Sequence, residues 1–82
     1  MTENFEFPQY RMYKNGKSVF KVSSIYSFIE LQLIGSNVIQ HSVEAKILPD
    51  RNFISDMLYD FEENWDKISA EDYKVFADKI NS

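Results

Sequence analysis

Lys14-Asn15-Gly16 constrains this chain more than any other three residues. It separates two strand-like runs within residues 9–23. Asn-Gly in that setting is a strong hairpin signal, because glycine takes positive φ without a steric penalty. The hairpin commits the start of the chain to antiparallel pairing. Its register then decides which side chains share a face, since a slip of one residue moves a whole strand's side chains across the sheet.

Two registers compete. A two-residue loop, Asn15-Gly16, sets Arg11 opposite Phe20 and Met12 opposite Val19, which mixes charge with apolar bulk on one face. A three-residue loop, Lys14-Asn15-Gly16, ends on Gly16 in the left-handed region as a bulge. It sets Tyr10 opposite Phe20 and Met12 opposite Ser18, with Val22 on the same face. The other face then carries Arg11, Tyr13, Lys17, Val19 and Lys21. The second register segregates apolar from charged side chains and is the expected one.

Further along, Phe28 to Ile34 alternates Ile29, Leu31 and Leu33 against Glu30 and Gln32, the period-two signature of a half-buried strand. Gly35-Ser36-Asn37 is a turn. Val38 to Ile47 alternates again, with Ile39, His41, Val43, Ala45 and Ile47 against Gln40, Ser42, Glu44 and Lys46. Leu48-Pro49-Asp50 ends the sheet, and Asp50 or Ser55 caps a first helix. Its apolar positions Phe53, Ile54, Met57, Leu58, Phe61 and Trp65 recur at helical spacing and place its end near Trp65-Asp66. Ser69 caps a second helix with Glu71 and Asp72 in its first turn, where carboxylates meet the positive end of the helix dipole. Tyr73, Phe76, Ala77 and Ile80 form its buried stripe.

The pattern is β-β-β-β-α-α. It predicts an α+β domain: a four-stranded antiparallel meander with both C-terminal helices packed on one sheet face and the other face open. An 82-residue chain makes one domain, with residues 1–7 a loosely held tail, 8–47 the sheet and 50–82 the helical part. Phe5 and Phe7 tuck into the core or pair at a sheet edge, and Pro8 suits the start of an edge strand. Hydrophobic residues make up 44% of the chain, enough for a real core.

The absence of cysteine removes disulfides, thiolate metal sites and thiol nucleophiles, and fits a reducing compartment. The acidic N-terminus lacks the apolar stretch of a signal peptide, and no run reaches the length of a membrane span. A soluble, cytoplasmic protein is expected. Residues 1–47 hold five Lys/Arg and four Asp/Glu, while residues 48–82 hold four and nine, so the helical half is the acidic one. Carboxylates on solvated helix faces account for this.

No constellation points to catalysis. A metal site needs several nitrogen or sulfur ligands, and His41 is the only histidine. It reads as a hydrogen-bonded histidine at the margin of the core. Asp56, Asp60 and Glu63 share a helix stripe without a calcium-loop spacing and read as a solvated face. No nucleophile elbow or phosphate loop is present. No cofactor, metal or catalytic residue is assigned. Trp65 reads as a core anchor at the helix end.

The open sheet face is the one surface with a competitive functional reading. Arg11, Tyr13, Lys17 and Lys21, with Val19 as an apolar contact, combine cations with a stacking ring, the ingredients of a single-stranded nucleic-acid platform. Glu30 and Glu44 are expected on the same face, with Lys21 approaching Glu30 across the ladder. They weaken the field, and a pI near 4.8 argues further against nucleic acid. The expected function is a non-catalytic protein-interaction module or homodimer using that face. The alternatives are nucleic-acid binding through the hairpin, and a small enzyme or ligand carrier with a pocket invisible in sequence.

Overall fold

The computed structural model describes residues 6–80. Four strands, β1 (Gln9–Tyr13), β2 (Ser18–Ser24), β3 (Ser27–Ile34) and β4 (Asn37–Glu44), run as an antiparallel meander. They are followed by α1 (Leu48–Tyr59), a single 3-10 turn (Phe61–Glu63), a fifth strand β5 (Trp65–Lys67) and α2 (Ala70–Ile80). The sheet order is β4-β3-β2-β1-β5. The fold is therefore α+β with the expected meander, extended by one strand. Residues 1–5, with Phe5, lie outside the described residues, and so does most of the expected tail. β1 starts directly after Pro8 but is an interior strand, because β5 pairs with its free side.

The hairpin register differs from expectation. Arg11 stands opposite Phe20 and Met12 opposite Val19. This is the pairing of the rejected two-residue loop, yet the loop itself is wider. The Gly16 N–H donates to the Tyr13 carbonyl at 2.8 Å, closing a turn over Lys14-Asn15, and the Lys17 N–H donates to Asn15 Oδ1 at 2.9 Å. Gly16 has the expected positive φ of 73°, while no other residue type among those described does. With Asn15 at negative φ the tight two-residue turn cannot form. Four residues, Lys14 to Lys17, connect the strands and keep the pairing one residue away from the bulged register.

The second hairpin follows the sequence more closely. Ile34 stands opposite Asn37, and Gly35 has φ of 61°. Glycine at the first central position is the requirement of a type II′ turn. β4 stops at Glu44, short of the expected Ile47. The chain then turns toward α1, with the Ala45 N–H bonded to the Tyr26 carbonyl at 2.6 Å.

α1 begins at Leu48, with Ile47 at its N-cap and Pro49 in its first turn. Proline is pre-organised for that position and its missing N–H is not needed there. Neither Asp50 nor Ser55 is the cap. The helix ends at Tyr59, and Trp65 belongs to β5. The helical spacing from Phe53 to Trp65 thus spans three different elements. α2 matches its expected start: the Asp72 N–H donates to Ser69 Oγ at 3.1 Å and the Ser69 N–H to Asp72 Oδ2 at 3.4 Å. This reciprocal cap satisfies two donors that a helix start leaves unpaired.

The helices lie on opposite faces of the sheet, not on one. Cross-strand pairing puts Arg11, Tyr13, Phe20, Val22, Phe28 and Trp65 on a single face. α1 covers it with Ile54, Met57 and Leu58, and Phe53 packs beside them. Each fully buried aliphatic side chain here stabilises the fold by about 1.5–3 kcal/mol. The other face carries Tyr10, Met12, Val19, Ile29 and Leu31, and α2 lies across it over β2 and β4. Tyr73 meets Tyr10 with ring centroids 5.3 Å apart, and Val75 and Phe76 line a shallow groove with Met12 and Val19. Tyr73, Phe76 and Ala77 are half-buried as expected, while the side chain of Ile80 lies outside the described residues.

Candidate functional site

The five residues expected on one open face are separated. Arg11 and Tyr13 face α1, Val19 and Lys21 face α2, and Lys17 is exposed in the turn. Arg11 is only 2% exposed. Its Nε donates to the Met57 carbonyl at 2.8 Å, one Nη to the Tyr10 carbonyl at 2.8 Å, and its guanidinium lies 4.5 Å from the centre of the Phe61 ring. Burial lowers its pKa from the ordinary value. The Tyr13 ring stacks on Trp65 at 5.4 Å and meets the edge of Phe20 at 4.9 Å. Burial raises its pKa, with the charge of Glu30 adding to the effect. These groups hold α1 and β5 to the sheet and are not presented to a ligand. Lys21 stands opposite Ile29, not Glu30, so the expected cross-strand ion pair is absent. Glu30 and Glu44 lie on opposite faces, by the same alternation.

A polar strip runs across the α1 side of the sheet beyond the helix. Ser18 Oγ donates to Glu30 Oε2 at 2.9 Å, Glu30 stands opposite His41, and His41 Nε2 lies 3.3 Å from Gln32 Oε1. Hydroxyl, carboxylate and imidazole are therefore neighbours. The hydroxyl is bonded to the carboxylate, however, and is 3% exposed. A nucleophile needs access to substrate as well as a base within hydrogen-bond reach, and the buried Ser18 lacks that access. His41 is exposed, not at a core margin as expected. Among the described residues no three His, Asp or Glu side chains gather as a metal site, Asp56, Asp60 and Glu63 included.

The sheet edges differ sharply. The β5 edge is three residues long. It is flanked by the Lys14–Asp66 ion pair at 2.9 Å. The β4 edge is eight residues long and pairs with β3 without a register break. It contains no proline, lysine or bulge, the devices that usually blunt an exposed edge, and Glu44 is its only charged side chain.

The hydrogen-bond phase of this edge follows from one contact. Ala45 bonds inward to Tyr26, and antiparallel ladders alternate. Odd-numbered residues of β4 therefore direct their backbone groups to β3. Val38, Gln40 and Ser42 direct their N–H and C=O groups to the other side, where no strand lies among the described residues. Two apolar side chains lie near this edge on the α1 side, Ile39 at 42% and Ile34 at 50% exposure. α1 stops short of both. The four-stranded meander expected from sequence already makes β4 an outer strand, as the sheet order has it; sequence reasoning looked for a docking surface on the sheet face and not at this edge.

The chain matches no protein-family model, and comparison with curated proteins and with solved structures gives no match. No helix among the described residues is long and apolar enough to cross a membrane.

Proposed function

We propose that this domain is a non-catalytic protein-interaction module that docks by adding a strand to the β4 edge. The observation behind the reading is the unblunted eight-residue edge, with three residues offering both backbone groups outward. Backbone bonding supplies affinity in this mode and side chains beside the edge supply selectivity. Ile34 and Ile39 fill that second role. The helices occupy the sheet faces, so docking shifts from the face expected from sequence to the edge. Nucleic-acid binding loses its main support, because Arg11 and Tyr13 are packed under α1. A cysteine-free chain suits the reducing cytoplasm, where we place it.

A photo-crosslinking amino acid placed at Ile39 or Gln40 of the intact chain, in cells, tests the reading. Adducts from both positions, and none from exposed Glu62 beside α1, are the expected result. No adduct from either β4 position refutes it.

A further inference from the structure

We infer that the strand added to β4 is β4 of a second copy of this chain, running antiparallel across a two-fold axis at His41. The inference rests on the edge reading above. An antiparallel mate must set outward-bonding residues opposite outward-bonding residues. For β4 this means even-numbered residues facing even-numbered ones. Only two symmetric registers then pair nearly the whole strand, one centred on Gln40 and one on His41.

The side chains separate the two. Centring on Gln40 sets Ile39 beside the partner's His41 and Asn37 beside the partner's Val43. Centring on His41 sets Ile39 beside the partner's Val43, Gln40 beside the partner's Ser42 and Val38 beside the partner's Glu44. The second arrangement covers Ile39, 42% exposed in the single chain, with a half-buried valine.

Charge does not oppose a like partner at this edge. Each chain has net charge −4, yet β4 contributes only Glu44 to it. In the His41-centred pairing the two Glu44 side chains sit at opposite ends of the ladder, about 20 Å apart at ~3.4 Å per residue. That exceeds the ~8 Å Debye length of physiological salt, so their repulsion is screened. The product is a ten-stranded sheet with both α1 helices on one side and both α2 helices on the other. Seven paired residues a side is at the small end of specific interfaces, where weak, reversible association is the expectation, and we take a micromolar dissociation constant as the working value.

The full chain is tested by sedimentation velocity from about 1 to 500 μM, a range that brackets the expected constant. A rise toward twice the 9.7 kDa chain mass is expected. Gln40→Pro removes an outward N–H while leaving the bonds to β3, and Ile39→Lys puts a charge beside the partner's Val43. Each should weaken association at least tenfold with an unchanged circular dichroism spectrum. If Gln40→Pro fails to fold, Ile39→Lys stands in for it.

His41→Cys tests the register in a chain that has no other thiol. Residues facing each other on the axis as a non-hydrogen-bonded pair have Cα atoms about 4.5 Å apart, within disulfide reach. Oxidation should link His41→Cys chains at least tenfold faster than Gln40→Cys chains; the opposite order overturns the His41 axis. A monomer at every concentration, with adducts from Gln40 only to other proteins, overturns self-pairing and leaves the edge reading intact. A dimer unaffected by Gln40→Pro and Ile39→Lys overturns both.

Discussion

Arg11→Ala should destabilise the domain by about 3 kcal/mol. The Met57 carbonyl lies in the last turn of α1, among the four that a helix leaves without an internal partner. α1 has no basic residue in its own last turn, and Arg11 of β1 supplies the missing cation from across the core at 2.8 Å. A hydrogen bond from a charged donor contributes about 1.5–3 kcal/mol. The guanidinium over Phe61 adds about 0.5–2 kcal/mol. Relief of the buried charge, whose lowered pKa reports its desolvation, offsets part of that sum. A chain this size has a total stability of only about 4–12 kcal/mol, so the loss is a large fraction. It corresponds to a fall in Tm of about 12–24 °C. Arg11→Met keeps the aliphatic stem and loses the donor, and should cost about 2 kcal/mol. Urea denaturation followed by Trp65 fluorescence and by circular dichroism measures both. An Arg11→Ala protein within about 0.5 kcal/mol of the parent would show that the cap contributes nothing. An Arg11→Met protein more stable than the parent would show that desolvation of the charge outweighs it.

Gly16→Val should destabilise by about 1–2 kcal/mol or more, because φ is 73° and a β-branched residue resists positive φ. An added Cβ meets no atom there, so the loss comes from the backbone conformation and not from a clash at Cβ, and an unchanged melting temperature would contradict it. Trp65 is 3% exposed and its Nε1 has no hydrogen-bond partner among the described residues. Trp65→Phe, which deletes that unsatisfied donor, should cost under about 1.5 kcal/mol, whereas Trp65→Ala should cost about 3–5 kcal/mol; equal losses in thermal melts would argue against this. Tyr13 and Tyr73 both have raised pKa values, Tyr13 chiefly from burial and then Glu30, Tyr73 chiefly from burial and then Tyr10. Folding thus favours their neutral forms. The resulting stabilisation is complete below the ordinary value of 10.0 and disappears as pH rises through the higher folded values. Thermal melts between about pH 8 and 11 should show this fall, and Tyr13→Phe should make it shallower.

Turn and cap chemistry was legible in the sequence in part, because it acts within a few residues; the three-residue bulge at Gly16 and the Asp50 or Ser55 cap of α1 did not form. Gly16 and Gly35 both have the positive φ that their turns require, and Ser69 caps α2 through Asp72. The alternation of Phe28 to Ile34 likewise identified β3. A signal for the two-sided core was also present. Val19-Phe20 and Phe28-Ile29 are adjacent apolar pairs inside strands, and adjacent positions point to opposite faces. Val19 and Phe20 are indeed both fully buried.

What the sequence determined by itself, then, is the set of local conformations: four meander strands, their turns, and two helices. Tertiary structure decided how they are combined. The β1–β2 register was decided when Arg11 could reach Met57 and Phe61, partners that a charge-segregation argument on two strands does not contain. Trp65 left the expected helix because the free edge of β1 offered it a ladder position beside Tyr13. α2 crossed to the second face because Val19 and Leu31 needed cover there. Each of these outcomes depends on side chains distant in the chain, whose contact energies exceed the small local preferences that a single sequence displays. The exposed β4 edge is what remained once those contacts were made.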